Sequence, residues 1–309
     1  MKLVAAMIIS LLLLMSAATS QSNIVLLNEW GEYGTKPGQF KFPAMLAADS
    51  RSNIYVVDQH NHRVQKFDSA GNFILMWGKP GNAEGDFYYP YGIAIDSRDN
   101  IYVSDMNNNR VQKFTGEGKF IASAGSYGSS DGQFRYPYGM AIAKNDILYV
   151  IDAFNYRIQK FNSDLTFAGK FGSQETFGIK LYMPHEMAID DEGNLILTDR
   201  QNHRISVFTN KGELKTRFGE YGEGNNVPAG KYSEPHGIAI NKKGEMFICD
   251  RYNFGIQMLN AERQPVTKWL TTGDFDSSKH FPLGIVIAKN GTLYVTDHYA
   301  HTIQQYKVY

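Results

Sequence analysis

This chain of 309 residues is short of several features that usually declare a fold or a function, and each shortage excludes something. It has a single cysteine, Cys249, so no intrachain disulfide forms and a full-sized apolar core must hold the fold. That cysteine lies in Met246-Phe247-Ile248-Cys249-Asp250, a strand pattern, and reads as a buried, inert thiol. The chain has no excess of either charge: 31 Lys and Arg stand against 31 Asp and Glu. Nothing in that balance favours a nucleic-acid partner. It has no phosphate-binding loop. It also has little in the way of long apolar runs: the stretch from Val4 to Met15 is about twelve residues, against the roughly twenty that span a bilayer.

That stretch is preceded by Lys2 and followed by the small residues Ala18 and Ser20, which is the layout of a secretory signal peptide cleaved after Ser20. The expected mature protein is one domain, residues 21–309, monomeric, without a membrane anchor, and either extracellular or, in a bacterial host, periplasmic. Its net charge is then −1, with 30 basic and 31 acidic residues. Asn290-Gly291-Thr292 is a glycosylation sequon, and its turn position leaves room for a glycan.

What the chain has in abundance is repetition. Prolines at 43, 90, 137, 184, 235 and 282 recur at intervals of 47, 47, 47, 51 and 47 residues, and Asp58, Asp105, Asp152, Asp199, Asp250 and Asp297 keep the same spacing. Each proline opens an apolar strand and each aspartate closes the next one. The second unit shows four short alternating segments, Gly92–Asp96, Asn100–Asp105, Arg110–Phe114 and Lys119–Ser123, separated by Gly, Asn, Asp and Ser. A period of this length with four strands per unit predicts an all-β, six-bladed β-propeller of four-stranded antiparallel blades. Proline suits the start of the innermost strand, where a missing N–H does least harm.

Counting strands predicts how the ring closes. Only three strands follow Pro282, and the segment from Ile24 to Trp30 matches the missing outer one, because Trp30-Gly31 corresponds to Trp77-Gly78 and Phe171-Gly172. The N-terminal strand therefore completes the last blade, removing open sheet edges.

Between the second and third strands the sequence is again regular. It reads Asp58 to Asn61-His62-Arg63-Val64, Asp105 to Asn108-Asn109-Arg110-Val111, Asp152 to Asn155-Tyr156-Arg157-Ile158, and Asp199 to Asn202-His203-Arg204-Ile205. Asp and Asn side chains bond turn amides and Arg pairs with Asp, so the pattern reads first as a structural staple. The last two blades drift, with Phe254-Gly255 and His301-Thr302. Asn-His-Arg, with aspartate upstream and Val/Ile-x-x-Phe downstream, resembles the NHL repeat over nearly the whole mature chain. That resemblance implies a six-bladed propeller. The functions it implies include protein or RNA binding, extracellular sensing, and the secretory-pathway lyase that completes peptide α-amidation. RNA binding in the family looks to a strongly positive face, which this chain lacks.

Candidate site residues come from the places where the repeats differ. The residue after each ring proline, at the channel mouth, is Ala44, Tyr91, Tyr138, His185, His236 or Leu283. The residue after each strand aspartate is Gln59, Met106, Ala153, Arg200, Arg251 or His298. Tyr91 and Tyr138 with His185, His236, Arg200 and Arg251 make a mouth suited to an anionic ligand with an apolar body. All eight histidines fall on this face, two of them, His62 and His203, through the repeat motif itself.

The pair Pro184-His185 and Pro235-His236 is similar to the Pro-His motif of the peptidyl-α-hydroxyglycine α-amidating lyase propeller, where three such histidines on alternate blades hold zinc. Asp199-Arg200 and Asp250-Arg251 resemble that family's following arginine. Here the two histidines lie on adjacent blades and each alternate set holds one, short of the three protein ligands of a catalytic zinc. Phe154 or Gln201 stands where the family has its catalytic tyrosine, and the lyase disulfides cannot form. The expectation is thus a binding propeller with no cofactor, engaging a protein, a peptide or a small anionic ligand through its top-face loops. The alternative is a diverged metal-dependent lyase or hydrolase with zinc or calcium on His185, Glu186 and His236.

Overall fold

The computed structural model describes residues 24–172, 181–224, 227–270 and 280–309; the signal peptide read over residues 1–20 lies outside them. Six four-stranded antiparallel sheets are arranged in chain order. Their innermost strands are Pro43–Ala48, Pro90–Ile95, Pro137–Ile142, Pro184–Ile189, Pro235–Ile240 and Pro282–Ile287. Every one starts on a ring proline, whose partner across the sheet is the repeat aspartate, as in Pro90 opposite Asp105. We number the blades 1 to 6 from these strands. The predicted strands of blade 2 are observed as Pro90–Ile95, Ile101–Asp105, Arg110–Phe114 and Phe120–Ala124. The longer 51-residue interval resides in the linker between blades 4 and 5, where Glu220–Tyr221 and Lys231–Tyr232 form a small parallel pair.

Blade 6 consists of Pro282–Ile287, Leu293–Asp297 and Thr302–Val308, with Ile24–Trp30 as its outer strand. The pairing runs antiparallel from Ile24 opposite Val308 to Trp30 opposite Ile303. Trp30 seats its ring 6.0 Å from Phe67 of blade 1 and 6.1 Å from Tyr294 of blade 6, and Asn28 Nδ2 donates to the carbonyl of Ala70 at 3.0 Å. The outer strand thus seals both its own blade and the seam to the first.

The core lies between blades. Tyr55 and Val57 of blade 1 pack with Ile101, Val103 and Phe114 of blade 2, all buried, and tyrosine hydroxyls cross the same seams to backbone carbonyls, Tyr55 to Gly116 at 3.1 Å and Tyr102 to Ser163 at 3.0 Å. Cys249 is buried in this core, where burial pushes its thiol pKa well above the ordinary value, consistent with an inert residue. Asn290 is exposed in a turn. Among the described residues no helix is long and apolar enough to cross a membrane.

Candidate functional site

The repeat motif does its structural work on the top face. Asp58 accepts from the amide of Lys41 at 2.7 Å, from Asn61 Nδ2 at 2.8 Å, from Arg63 Nε at 2.7 Å and from Gln65 Nε2 at 3.1 Å. Arg63 then spends its remaining donors on the carbonyls of Thr35, Lys36 and Gln39, which ties the incoming linker to the blade. Blades 2 and 3 repeat the arrangement through Asp105 with Arg110 and Asp152 with Arg157. Blade 5 has Gly255 in place of the arginine, and with burial the largest influence Asp250 is pushed up to about 6. Blade 6 has Thr302 there, and His280 Nδ1 reaches Asp297 at 2.9 Å instead.

The histidine of the motif has a separate task that sequence reasoning missed. His62, Asn109, His203 and His301 all adopt left-handed backbone conformations, and each accepts a hydrogen bond from the amide of the residue before the next ring proline. The distances are 3.0 Å to Tyr89, 3.0 Å to Tyr136, 3.1 Å to Glu234 and 3.1 Å to Phe42. Those four donor residues are themselves left-handed, a costly conformation for a bulky residue that persists only when its surroundings fix it. The motif side chain is such a fixture, a clasp from one blade to the next. The recurring 27-residue offset from 62 to 89 and from 109 to 136 was the available signal.

The clasp makes stability depend on pH. His62 and His301 accept through Nδ1, and burial lowers both below the ordinary 6.5; burial also lowers His60, and His298 to about 4. Each binds protons more readily unfolded than folded. Their contribution is therefore fully present above pH 6.5 and is lost as pH falls through the lowered values. Glu186, pushed up by burial to about 8, and Asp250 act in the opposite sense, losing stability as pH rises. The histidine contribution therefore falls on acidification below pH 6.5 while the two carboxyls offset it, so the difference between wild type and a variant without the histidines isolates the clasp. The double variant His62→Asn/His301→Asn, copying Asn109, should melt within about 1 kcal/mol of wild type at pH 8 and show a shallower acid limb. Equal acid limbs would refute the clasp.

The six candidate ligand residues converge, four of them at the axis. Tyr91 and Tyr138 lie with ring centroids 5.1 Å apart and planes tilted by 36°, each ring lies 5.0 to 5.1 Å from His185, and His185 lies 3.9 Å from His236. Tyr91, His185 and His236 are buried, so these rings close the top of the channel. The Tyr91 hydroxyl is 3.1 Å from His185 Nε2. His236 donates from Nδ1 to the carbonyl of Glu234 at 2.8 Å, which turns its Nε2 lone pair to Arg251 Nη1 at 3.2 Å. Burial, with the cations beside them, keeps both imidazoles well below 6.5 and so uncharged.

Above these rings Arg200 and Arg251 share one carboxylate. Arg200 places Nε 2.7 Å and Nη2 2.6 Å from Glu234 Oε2, and Arg251 Nη1 stands 3.6 Å from the same oxygen. The Arg251 guanidinium also lies over Phe281 at 4.4 Å, and its Nε is buried without a hydrogen-bond partner among the described residues. Glu234 was not among the sequence candidates, although it is the acidic exception at a position that elsewhere holds Phe42, Tyr89, Tyr136, Met183 and Phe281. Two guanidinium groups thus share one carboxylate at the channel mouth, and one of them keeps a donor without a partner among the described residues.

The metal-binding alternative meets obstacles in the same geometry. Among the described residues no group of three or more His, Cys, Asp or Glu is placed to hold a metal. Arg251 faces the free nitrogen of His236. Gly128-Ser129-Ser130-Asp131-Gly132 has the spacing of a serine-nucleophile motif. It lies in the linker between blades 2 and 3, outside any strand-turn-helix, and its Ser130 carbonyl is held by Arg157.

The ring of six four-stranded blades closed by its N-terminal strand defines the class: a six-bladed β-propeller. Four stretches of this propeller match the NHL repeat, at residues 40–67, 87–114, 181–208 and 280–306. Blades 3 and 5, between those matches, have the same geometry. Protein brain tumor of Drosophila melanogaster is 42% identical over 45 residues, which is 15% of this chain and 4% of that protein. Solved structures share the fold at low identity. A streptogramin B lyase aligns with a TM-score of 0.63 at 14% identity over 95% of this chain and 100% of the other. A gluconolactonase from Xanthomonas campestris aligns with a TM-score of 0.67 at 12% identity over 96% and 92%.

Proposed function

We propose that this chain is an exported binding propeller whose top face holds a protein or peptide partner by a carboxylate, with small anionic ligands as the simplest case. The observation that carries the reading is the seating of Glu234 between Arg200 and Arg251, directly above a buried aromatic and imidazole floor. A partner carboxylate exchanging with Glu234 would gain paired, charge-assisted bonds in a partly desolvated setting. Arg251 Nε offers it one donor that Glu234 leaves unused. The surrounding face favours association as well: Tyr33, Tyr88, Tyr127, Tyr136, Tyr182 and Tyr221 are all exposed, and all stand in the linkers that cross this side. Tyrosine supplies broad contact area at low entropic cost. The N-terminal apolar run supports export to the cell exterior or a periplasm.

Arrays of peptides synthesised in pairs, with a free C-terminal carboxylate and as the amide, test the proposal. The expected result is binding that favours the free acid, strengthens severalfold in Glu234→Gln and is lost in Arg200→Ala/Arg251→Ala. Binding indifferent to amidation and to both arginines would contradict it.

A further inference from the structure

Below the imidazole pair the channel continues as a cavity of about 210 Å³ bounded by all six innermost strands. Its lining side chains are apolar, such as Leu46, Ile93, Met140, Met187, Ile238 and Ile285, except for Glu186, the one ionisable residue among them, and polar atoms share the lining surface. In four of the other five blades the corresponding residue is glycine, at 92, 139, 237 and 284. A Cβ added to Gly139 would meet the carbonyl of His185 at 2.6 Å and Oε1 of Glu186 at 2.5 Å. Glycine is needed there for close approach of the neighbouring strand. Blade 4 alone places a carboxyl in this ring, and it is more than nine-tenths buried.

We propose that this cavity is a binding site for a short primary alkylammonium, with its charged head on the Glu186 carboxylate and its chain against the apolar walls. The chemistry narrows the choice. An ammonium has three donors and no acceptor, and the innermost strands are sheet edges whose inward backbone carbonyls supply the acceptors that one carboxylate does not. A desolvated cation without a carboxylate would be too costly there, while an anion would find no cation in the walls. Among the described residues no group of three or more His, Cys, Asp or Glu is placed to hold a metal. The rings of Tyr91, His185 and His236 close the upper end, and the walls run down to Ile240 and Ile287 at the lower ends of their strands, so the ligand enters from the lower face.

Affinity should depend on pH through one group. With burial the main cause, Glu186 is raised to about 8 against the pull of the Met187 and Met140 amides. The groups facing it do not titrate nearby: His185 on its own strand and His236 on blade 5 are lowered, and Tyr91 on blade 2 and Tyr138 on blade 3 are raised. Arg200 and Arg251 stand beyond them on the upper side. The probe is n-butylammonium titrated calorimetrically into the protein, with n-butanol as the neutral control. Affinity is expected to rise about tenfold between pH 7 and pH 9, with proton release at pH 7. It should vanish in Glu186→Gln. Ala239→Leu, which narrows the cavity and keeps the carboxyl, should abolish it too, and stands in if the glutamine variant does not fold. No binding by folded wild type at either pH, equal binding by Glu186→Gln, or butanol binding as tightly would overturn the proposal.

Discussion

Removing residues 24–30 should lower the melting temperature by roughly 10–20 °C, the largest effect expected of any single change here. The deletion strips the outer strand from blade 6 and leaves the donors and acceptors of Thr302–Val308 without their ladder. It withdraws Trp30 from Phe67 and Tyr294 and opens the seam to blade 1 that Asn28 bridges. With its only cysteine buried and free, the chain has no disulfide to hold the ring closed once that strand is gone. Differential scanning calorimetry of the deleted and intact proteins decides the matter. A melt within a degree or two of wild type would show that the ring closes by some other means.

The second large effect is expected at the staple. Asp152 and Arg157 are both buried, paired at 2.7 Å, and Asp152 also takes the amide of Arg135 and the side chains of Asn155 and Gln159. Asp152→Ala leaves a buried guanidinium without its counter-ion and should cost about 3–5 kcal/mol. Asp250→Asn should cost less, about 1–2 kcal/mol. Blade 5 has no arginine at Gly255, so the variant strands no buried guanidinium; its loss is confined to the bonds that the two carboxylate oxygens accept from Ser233, Asn253 and Gln257, of which an amide oxygen keeps one side. Chemical denaturation of the two variants separates these cases. Equal losses would mean that the aspartates act through their amide contacts alone, and that the arginines add nothing.

The architecture was legible because it is written six times. Every copy of the proline, the aspartate and the strand alternation pointed to the same blade, and the surplus N-terminal strand had one vacancy to fill. The candidate site was legible only as a list of positions where copies differ. Position after the ring proline located Tyr91, Tyr138, His185 and His236 at the axis, and position after the aspartate located Arg200 and Arg251. Their actual relations were not legible. That His185 touches His236 at 3.9 Å, and that both arginines close on Glu234, depends on how adjacent blades tilt toward the axis, which no one repeat encodes. The role of the motif histidine escaped for a related reason: its hydrogen bond runs to the next blade, from a left-handed residue to a left-handed residue, and backbone handedness at non-glycine positions has no composition signal.

The functional account rests on His185 and His236 belonging to the floor of a binding mouth and not to a metal centre. The Tyr91 hydroxyl lies against both ring nitrogens of His185, at 3.3 and 3.1 Å, and Arg251 Nη1 faces His236 Nε2 at 3.2 Å. The most direct test is elemental analysis of the protein purified without chelator, beside its His185→Ala/His236→Ala variant. The account predicts a folded wild type holding far less than one equivalent of zinc or calcium, with a melt unmoved by chelator. Stoichiometric metal in wild type, lost in the double variant, would contradict it and make the metal-dependent lyase the better reading.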